Sequence, residues 1–214
     1  YVERVYVSTD SDKIKEIGRK YGAEIIERPA ELCTNKALAT DAFVHGYQVI
    51  RDKLKEEGKE IELIALLFCN APTVLASQID EGVEILRKHP DYDSVITAGK
   101  YNMYHPNRMR RINKDGLIEP FVPLEAFGDP NTMSCDRDSA GDAWLADVAL
   151  SLVRPRCFNN IDKGFKPQEW MGQKIYPIEN KAGLDIDYEW QWGQVEWWLK
   201  HNGFTEEKNP YDKN

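Results

Sequence analysis

Apolar residues follow two alternating periods along the first part of the chain. The runs Val5–Val7 and Ala23–Glu27 have the composition of short strands, and Ile14 and Ile17 recur between them at helical spacing. The continuous apolar run Leu63–Phe68 is typical of a strand that is covered on both faces. We therefore predict strands and helices in alternation, with the run Leu63–Phe68 at the centre of the fold.

The same alternation continues to the end of the chain. Apolar residues recur at helical spacing from about Asn35 to Lys55, and Thr34 precedes them as a candidate N-cap. This pattern predicts a long helix. Further strands are predicted at Ser94–Ala98, Ala143–Val153 and Lys174–Glu179, and further helices around Ile79–Leu86 and from about Tyr188 to Asn202. Between Tyr101 and Ala140 the helical period is lost, and Asp115-Gly116 is a hairpin signal, which predicts an insertion.

These elements predict an α/β fold: a three-layer, mostly parallel twisted sheet with helices on both faces. We expect a single domain over residues 1–214, with a small hairpin and loop inserted at about residues 101–140. In the last helix, Tyr188, Trp192, Val195 and Leu199 form a stripe that should face the core. Trp190 and Trp197 form a second stripe, which needs a cover from the rest of the chain or from a partner subunit.

Charge and composition narrow the range of functions. Lys and Arg number 28 against 36 Asp and Glu, a net charge of −8, which argues against a nucleic-acid or anionic membrane surface but not against a local phosphate site. The longest apolar run is far shorter than the roughly 20 residues of a membrane span. The 4 cysteines include no C-x-x-C pair, which predicts reduced thiols, no zinc site and a cytoplasmic location.

Parallel sheets bind ligands at the carboxyl ends of their strands, so the polar residues there are the candidates for chemistry. Asp185 and Asp187 are one residue apart, which puts both carboxylates on the same side of an extended chain. Two such carboxylates suit one hard cation, such as Mg²⁺, with substrate phosphates and water as the other ligands. The alternative is structural, with Asp187 as the cap of the last helix.

Four further positions are candidates by the same rule or by charge. Asp10 lies at a strand-to-helix junction, where capping is the structural alternative. Arg28 ends a strand and offers a guanidinium to a phosphate or a base edge, the alternative being a surface arginine. Arg110 and Arg111 in the insertion suit a carboxylate clamp, the alternative being a solvated hairpin face.

Several motifs in fixed order give the chain a family resemblance. The segments Arg4–Asp10, Tyr21–Glu24 and Arg28–Leu32, followed by Thr34, and the later Asp185-Ile186-Asp187 resemble the acylneuraminate cytidylyltransferase family, the CMP-sugar synthetases. The resemblance implies a Rossmann-like nucleotidyltransferase fold. It also implies Mg²⁺-dependent transfer of CMP from CTP to an acidic, sialic-acid-like 2-keto sugar, with release of pyrophosphate. A cytoplasmic homodimer, with the insertion as dimerisation subdomain, is expected as well.

The resemblance implies roles for individual residues. Asp185 and Asp187 would be the catalytic metal ligands. The nucleotide pocket would contain Asp10, Arg28 and Asn70, and the substrate side would contain Arg110, Arg111 and Asp147.

The sequence departs from the family pattern at three places. The glycine- and lysine-rich phosphate loop of the family would lie ahead of Tyr1, so this chain taken alone is expected to lack turnover. The family's glutamine and Pro-Thr-Ser-Pro loop is here Phe68 followed by Cys69–Pro72, and an expected Asn-Gly pair is Asp147-Val148. These changes leave three alternatives open: another acidic acceptor such as a phosphonate, another nucleotide, or a relative that binds nucleotide sugars without catalysis.

Overall fold

A computed structural model describes residues 1–211 of the chain. They divide into two compact units, each built from separate stretches of sequence. Unit 1 contains Tyr1–Leu66, Ala76–Ile96 and Ser151–Tyr176; unit 2 contains Leu67–Leu75, Thr97–Leu150 and the segment from Pro177 onward. The expectation of one domain with an insertion stays a prediction.

Strands and helices alternate through most of the chain, which confirms the α/β class. The strands are β1 (Tyr6–Thr9), β2 (Glu24–Glu27), β3 (Ile64–Leu66), β4 (Ser94–Lys100), β5 (Arg110–Ile112), β6 (Ile118–Pro120), β7 (Trp144–Val153) and β8 (Ile175–Glu179). The helices are α1 (Asp12–Lys20), α2 (Ala39–Glu56), α3 (Ala76–Lys88), α4 (Pro155–Asn159) and α5 (Trp192–His201). Over residues 1–211, none of these helices has the length and apolar character needed to cross a bilayer.

The first strands form the parallel pair that the sequence predicts. β1 pairs with β2 in parallel from Tyr6 opposite Glu24, and α1 connects the two strands. The N-cap of α1 is Ser11, whose hydroxyl accepts a hydrogen bond from the N–H of Ile14 (3.5 Å). Asp10 therefore does not cap this helix.

The larger sheet has four strands in the order β3-β7-β4-β8, and it is mixed rather than mostly parallel. β7 runs antiparallel to β3, with Ile64 opposite Val153. β8 runs parallel to β4, because flanking bonds from Asp93 N–H to Lys174 C=O and from Asn180 N–H to Ala98 C=O advance along both strands together. β7 reverses the direction because it returns from a long segment that contains no crossover helix.

The buried strands of this sheet are β4 and β7. The side chains of Val95 and Val153 are fully buried, as are most of their neighbours on these strands. β3 is an edge strand, and Leu67, directly after it, is 49% exposed. The prediction that Leu63–Phe68 lies at the centre of the fold is therefore wrong, because an apolar run carries no information about strand order.

Two helices begin later than predicted. α2 begins at Ala39 with Leu38 as N-cap, so Thr34 does not cap it, because residues 30–33 form a separate 3₁₀ turn. α5 begins at Trp192, after a 3₁₀ turn over residues 189–191 that changes the helical phase. Its buried residues are Val195 and Trp198, and the predicted core residues Tyr188 and Trp192 are exposed.

The insertion contains the hairpin that Asp115-Gly116 predicts. β5 and β6 pair antiparallel, with Arg111 opposite Glu119. Gly116 has φ +80°, a left-handed conformation that glycine adopts without steric cost.

Candidate active site

The acidic segment, residues 180–187, lies in unit 2 and begins where two strands end. Asn180 follows β8 directly, and its N–H donates to the C=O of Ala98 in β4 (2.9 Å). From there the chain passes through residues 181–187 to the 3₁₀ turn before α5. This segment carries Asp185 and Asp187.

A buried carboxylate lies beneath this segment. Asp147 on β7 is 2% exposed, and its Oδ1 accepts from the hydroxyl of Thr97 and from the N–H of Ala149 (3.1 Å). Its Oδ2 accepts from Nδ2 of Asn180 (2.7 Å). Burial raises the pKa of Asp147, and these hydrogen bonds act in the opposite direction because they stabilise the ionised form. The backbone at Val148 has φ +53°, a strained conformation for a β-branched residue.

Hydrogen bonds extend from Asp147 to the acidic segment. Nδ2 of Asn180 also donates to the C=O of Thr73 (2.6 Å) in the loop after β3. The hydroxyl of Thr73 accepts from the N–H of Leu184 (3.2 Å) and donates to its C=O (3.4 Å). The N–H of Ile186 donates to the C=O of Asn70 (2.8 Å). The backbone is therefore anchored on both sides of Asp185.

Gly183 lies against Asp147. A Cβ at position 183 would lie 2.1 Å from Asp147 Oδ2, which leaves no room for a side chain. The hydroxyl of Tyr101 donates to the C=O of Gly183 (2.8 Å). The pKa of Tyr101 is raised, first by burial and then by the nearby charge of Asp147.

The two carboxylates of the acidic segment remain available. Asp185 is half-buried and Asp187 is exposed, and within residues 1–211 neither carboxylate has a hydrogen bond or ion pair. The N–H groups of Asp187 and Tyr188 donate to Oε1 of Gln191, and Tyr188 is the N-cap of the turn that follows. Asp187 is therefore not the helix cap.

This donor set fits a magnesium ion that is bound together with a substrate. In the part of the chain that the structure describes, no group of three or more His, Cys, Asp or Glu residues lies close enough together to hold a metal ion. Two carboxylates with open positions are the usual protein contribution where phosphates and water complete an octahedral shell. The metal itself stays a prediction.

Asp10 and Arg28 belong to unit 1. Nη2 of Arg28 donates to the C=O of Ser8 (2.5 Å) and Nε donates to its hydroxyl (3.3 Å), so the guanidinium is fixed at the end of β1. Asp10 is exposed, and it is the second cause, after burial, of a raised pKa at Cys33. Their assignment to a nucleotide pocket stays a prediction.

Arg110 and Arg111 are exposed on the hairpin. Nη1 of Arg110 donates to the C=O groups of Asn107 (2.9 Å) and Met109 (3.0 Å). Nε of Arg111 pairs with Glu119 across the hairpin (2.7 Å). Among residues 1–211, no hydrogen bond or ion pair joins the two arginines to the acidic segment. Their role toward a substrate carboxylate stays a prediction.

The structure thus brings Asn70, Asp185 and Asp187 together, and it connects Asp147 to them through intermediate residues. The motifs in the sequence do not identify the connecting residues as functional: Thr73, Thr97, Tyr101, Asn180 and Gly183. Tyr101 and Asn180 each follow a strand directly, so the rule that ligands bind at strand ends could have found them.

Comparisons with known proteins agree with the resemblance seen in the motifs. The N-acylneuraminate cytidylyltransferase of Escherichia coli O18:K1:H7 (strain RS218 / NMEC) is 30% identical over 185 residues, which is 86% of this chain and 39% of that protein. The enzyme of the same name from Oncorhynchus mykiss is 22% identical over 191 residues, 88% of this chain and 39% of that protein. The chain therefore spans about two fifths of the length of these relatives. No family model matches it.

A solved structure shares the fold. The structure of CMP:2-keto-3-deoxy-manno-octonic acid synthetase complexed with CTP aligns with a TM-score of 0.57 at 14% identity, covering 94% of this chain and 82% of that one. At this level of identity the match concerns the fold alone. Sequence motifs and the curated relatives together show that the chain is related to the acylneuraminate cytidylyltransferases, the CMP-sugar synthetases.

Proposed function

We propose that this chain forms the catalytic part of a Mg²⁺-dependent cytidylyltransferase with a Rossmann-like nucleotidyltransferase fold. It transfers CMP from CTP to an acidic, sialic-acid-like 2-keto sugar and releases pyrophosphate. Support comes from the names of the curated relatives and from the CTP complex of the structural relative. The observation that carries the proposal is the acidic segment, whose carboxylates are available while the backbone on both sides of Asp185 is anchored.

The reaction places negative charge on the oxygens around the α-phosphorus as the acceptor hydroxyl attacks. Mg²⁺, when bound, supplies the charge that neutralises these oxygens and orients the triphosphate. Asp185 and Asp187 would hold the ion. The anchoring bonds at Leu184 and Ile186 keep Asp185 in place before substrate arrives, so little reorganisation is needed at the moment of reaction.

Other residues are assigned to the substrates. Asn70 is exposed next to Ile186, which suits contact with the nucleotide, and Arg28 and Asp10 are assigned to the same ligand. Arg110 and Arg111 are assigned to the acceptor carboxylate. The proposal includes a homodimer through the hairpin insertion and a cytoplasmic location, the latter supported by four free cysteines.

The first test is pyrophosphate release from CTP by the protein as it is encoded, including any residues outside this chain, beside the 214-residue chain itself. The acceptors are a panel of acidic 2-keto sugars and phosphonates. Release that requires one acceptor supports the proposal and names the substrate. CTP binding without release on any acceptor supports a binding protein without catalysis, and preference for another triphosphate identifies a different nucleotide.

The metal assignment has its own test in Asp187→Asn. We expect turnover to fall by a factor of about 100 or more, with the thermal unfolding midpoint unchanged, because the exposed carboxylate has no structural partner. Asp115→Asn in the exposed hairpin turn removes the same charge and serves as control. Turnover near that of the wild type in Asp187→Asn would contradict the assignment.

A further inference from the structure

The carboxylate of Asp147 has all its hydrogen bonds inside the protein. Thr97, Ala149 and Asn180 supply the three donors, and the residue is almost completely buried. Because the residue is 2% exposed, a ligand could contact it only if neighbouring residues moved. The sequence suggested a contact with substrate at this position, whereas the geometry directs the carboxylate toward the protein's own acidic segment.

The contacts between Asp147 and Asp185 form a continuous series. Both hydrogens of the Asn180 amide are used, one on Asp147 and one on the C=O of Thr73. The hydroxyl of Thr73 bonds both backbone groups of Leu184, the residue before Asp185. Gly183 packs directly on Asp147, with no room for a Cβ.

We propose that Asp147 is a positioning residue, which acts through Asn180 and Thr73 to hold residues 183–186 so that Asp185 presents its carboxylate to a divalent cation. The inference rests on the proposed function, because it assumes that Asp185 and Asp187 bind the cation. It assigns Asp147 no contact with either substrate.

Only a carboxylate meets the hydrogen-bonding requirement at this position. An asparagine at 147 that kept its oxygen toward Thr97 and Ala149 would place its NH₂ against the NH₂ of Asn180. In the flipped orientation its NH₂ would face the N–H of Ala149. Asn180 cannot adapt by rotating its amide, because its oxygen would then face the C=O of Thr73. Asp147→Asn therefore keeps the side-chain volume but cannot keep the hydrogen bonds from Ala149 and Asn180 together.

The test combines two measurements on the intact protein. The first is hydrogen–deuterium exchange at the amides of Leu184 and Ile186, which are protected by Thr73 and Asn70 in the native fold. The second is the affinity for Mn²⁺ in the presence of CTP, measured by water-proton relaxation. Asp147→Asn is compared with Asp115→Asn, an equal loss of charge on the exposed hairpin.

We expect Asp147→Asn to exchange faster at Leu184 and Ile186 and to bind Mn²⁺ about tenfold more weakly, with exchange in β4 unchanged. Unchanged exchange at the two amides would overturn the inference. So would faster exchange with unchanged Mn²⁺ affinity, which indicates a structural role alone, or a rise only in the KM for the acceptor, which indicates direct contact.

Two additions keep the result interpretable. If Asp147→Asn fails to fold, Thr73→Val removes only the hydroxyl that bonds Leu184, and the same two results are expected.

Asp187→Asn distinguishes failure of the inference from failure of the proposed function. If it leaves Mn²⁺ affinity unchanged, the metal assignment of the proposed function fails, and the inference fails with it. If it weakens Mn²⁺ binding while Asp147→Asn and Thr73→Val do not, only the inference fails.

Discussion

The acidic segment at residues 180–187 and the β5–β6 hairpin are both loops rich in charge, but they are held in different ways. Hydrogen bonds that involve the side chains of Asn180, Thr73 and Tyr101 join the segment to residues 33 to 111 positions away in the sequence, and all of these bonds are buried or partly buried. Around the hairpin turn, Oδ1 of Asn113 accepts from the N–H groups of Asp115 (3.0 Å) and Leu117 (2.9 Å), and both bonds are exposed.

The difference concerns what each region requires from the rest of the fold. The hairpin turn is formed by a glycine at positive φ and by an asparagine whose side chain accepts hydrogen bonds from the turn backbone. Residues close in sequence are therefore sufficient to set its conformation. The acidic segment obtains its shape from Thr73, Asp147 and Asn180, which come from three different parts of the chain. A substitution that breaks one of these contacts of the segment should therefore affect stability much more than one that breaks a bond in the hairpin.

Gly183→Ala should have the largest effect. The added Cβ would meet Asp147 Oδ2 at 2.1 Å, so the backbone or the carboxylate must move, and we expect a loss of about 3 kcal/mol in the free energy of unfolding. Urea denaturation measures this change in the free energy of unfolding. Gly193→Ala on α5, where no atom lies within 4 Å of the new Cβ, is the matched control and should stabilise by about 0.5 kcal/mol. Equal effects of the two variants would show that Gly183 is not tightly packed.

Asn180→Ala should cause the next largest loss in the free energy of unfolding. It leaves Asp147 Oδ2 and the C=O of Thr73 without a donor in a buried place, and such unsatisfied groups cost roughly 1–3 kcal/mol each. We expect a loss of about 2 kcal/mol by urea denaturation, since water can reach part of the space left behind. A loss below about 0.5 kcal/mol would contradict the view that this network holds the segment.

Asn113→Ala tests the hairpin by the same method. The variant loses the two bonds from Asp115 and Leu117, which water replaces at this exposed turn, and a longer bond from its Nδ2 to Glu119 (3.4 Å). We expect a loss of about 0.5–1 kcal/mol, less than half that of Asn180→Ala. If the two asparagine variants were equally destabilised, burial would not be the reason for the difference between the regions.

Arg111→Ala should have the smallest effect on stability. Its ion pair with Glu119 lies on the surface, with the arginine side chain 59% exposed, so we expect a change of at most about 0.5 kcal/mol that disappears at high salt. Denaturation at low and high salt measures both. Glu119→Gln should match it, because either change removes the same pair.

The features that the sequence predicted correctly are those set by nearby residues. The hairpin at Asp115-Gly116 and the β1–α1–β2 unit follow from turn chemistry and hydrophobic period within about 20 residues. The edge position of β3 and the antiparallel β7 did not follow, because strand order depends on pairings between distant segments. The phase of α5 was missed since a 3₁₀ turn precedes it.

The candidate site shows the same difference between local patterns and contacts of distant residues. The D-x-D spacing identified Asp185 and Asp187, the family resemblance identified Asn70, and the structure brings the three together. No pattern in the sequence indicates that Asp147 bonds Asn180, which is 33 positions away. Sequence reasoning found the two carboxylates and Asn70, expected Asp147 to contact substrate, and missed the connecting residues Thr73, Asn180 and Gly183.

Position 148 reverses the usual order of preference among strand residues. Valine is among the best residues for a strand and glycine among the worst, but a φ of +53° favours glycine and asparagine over any β-branched residue. In a library that contains all amino acids at this position, selection for folded protein should enrich glycine and asparagine above isoleucine and threonine. This position in the middle of β7 would then evolve as a turn does, although it lies in a strand of 10 residues.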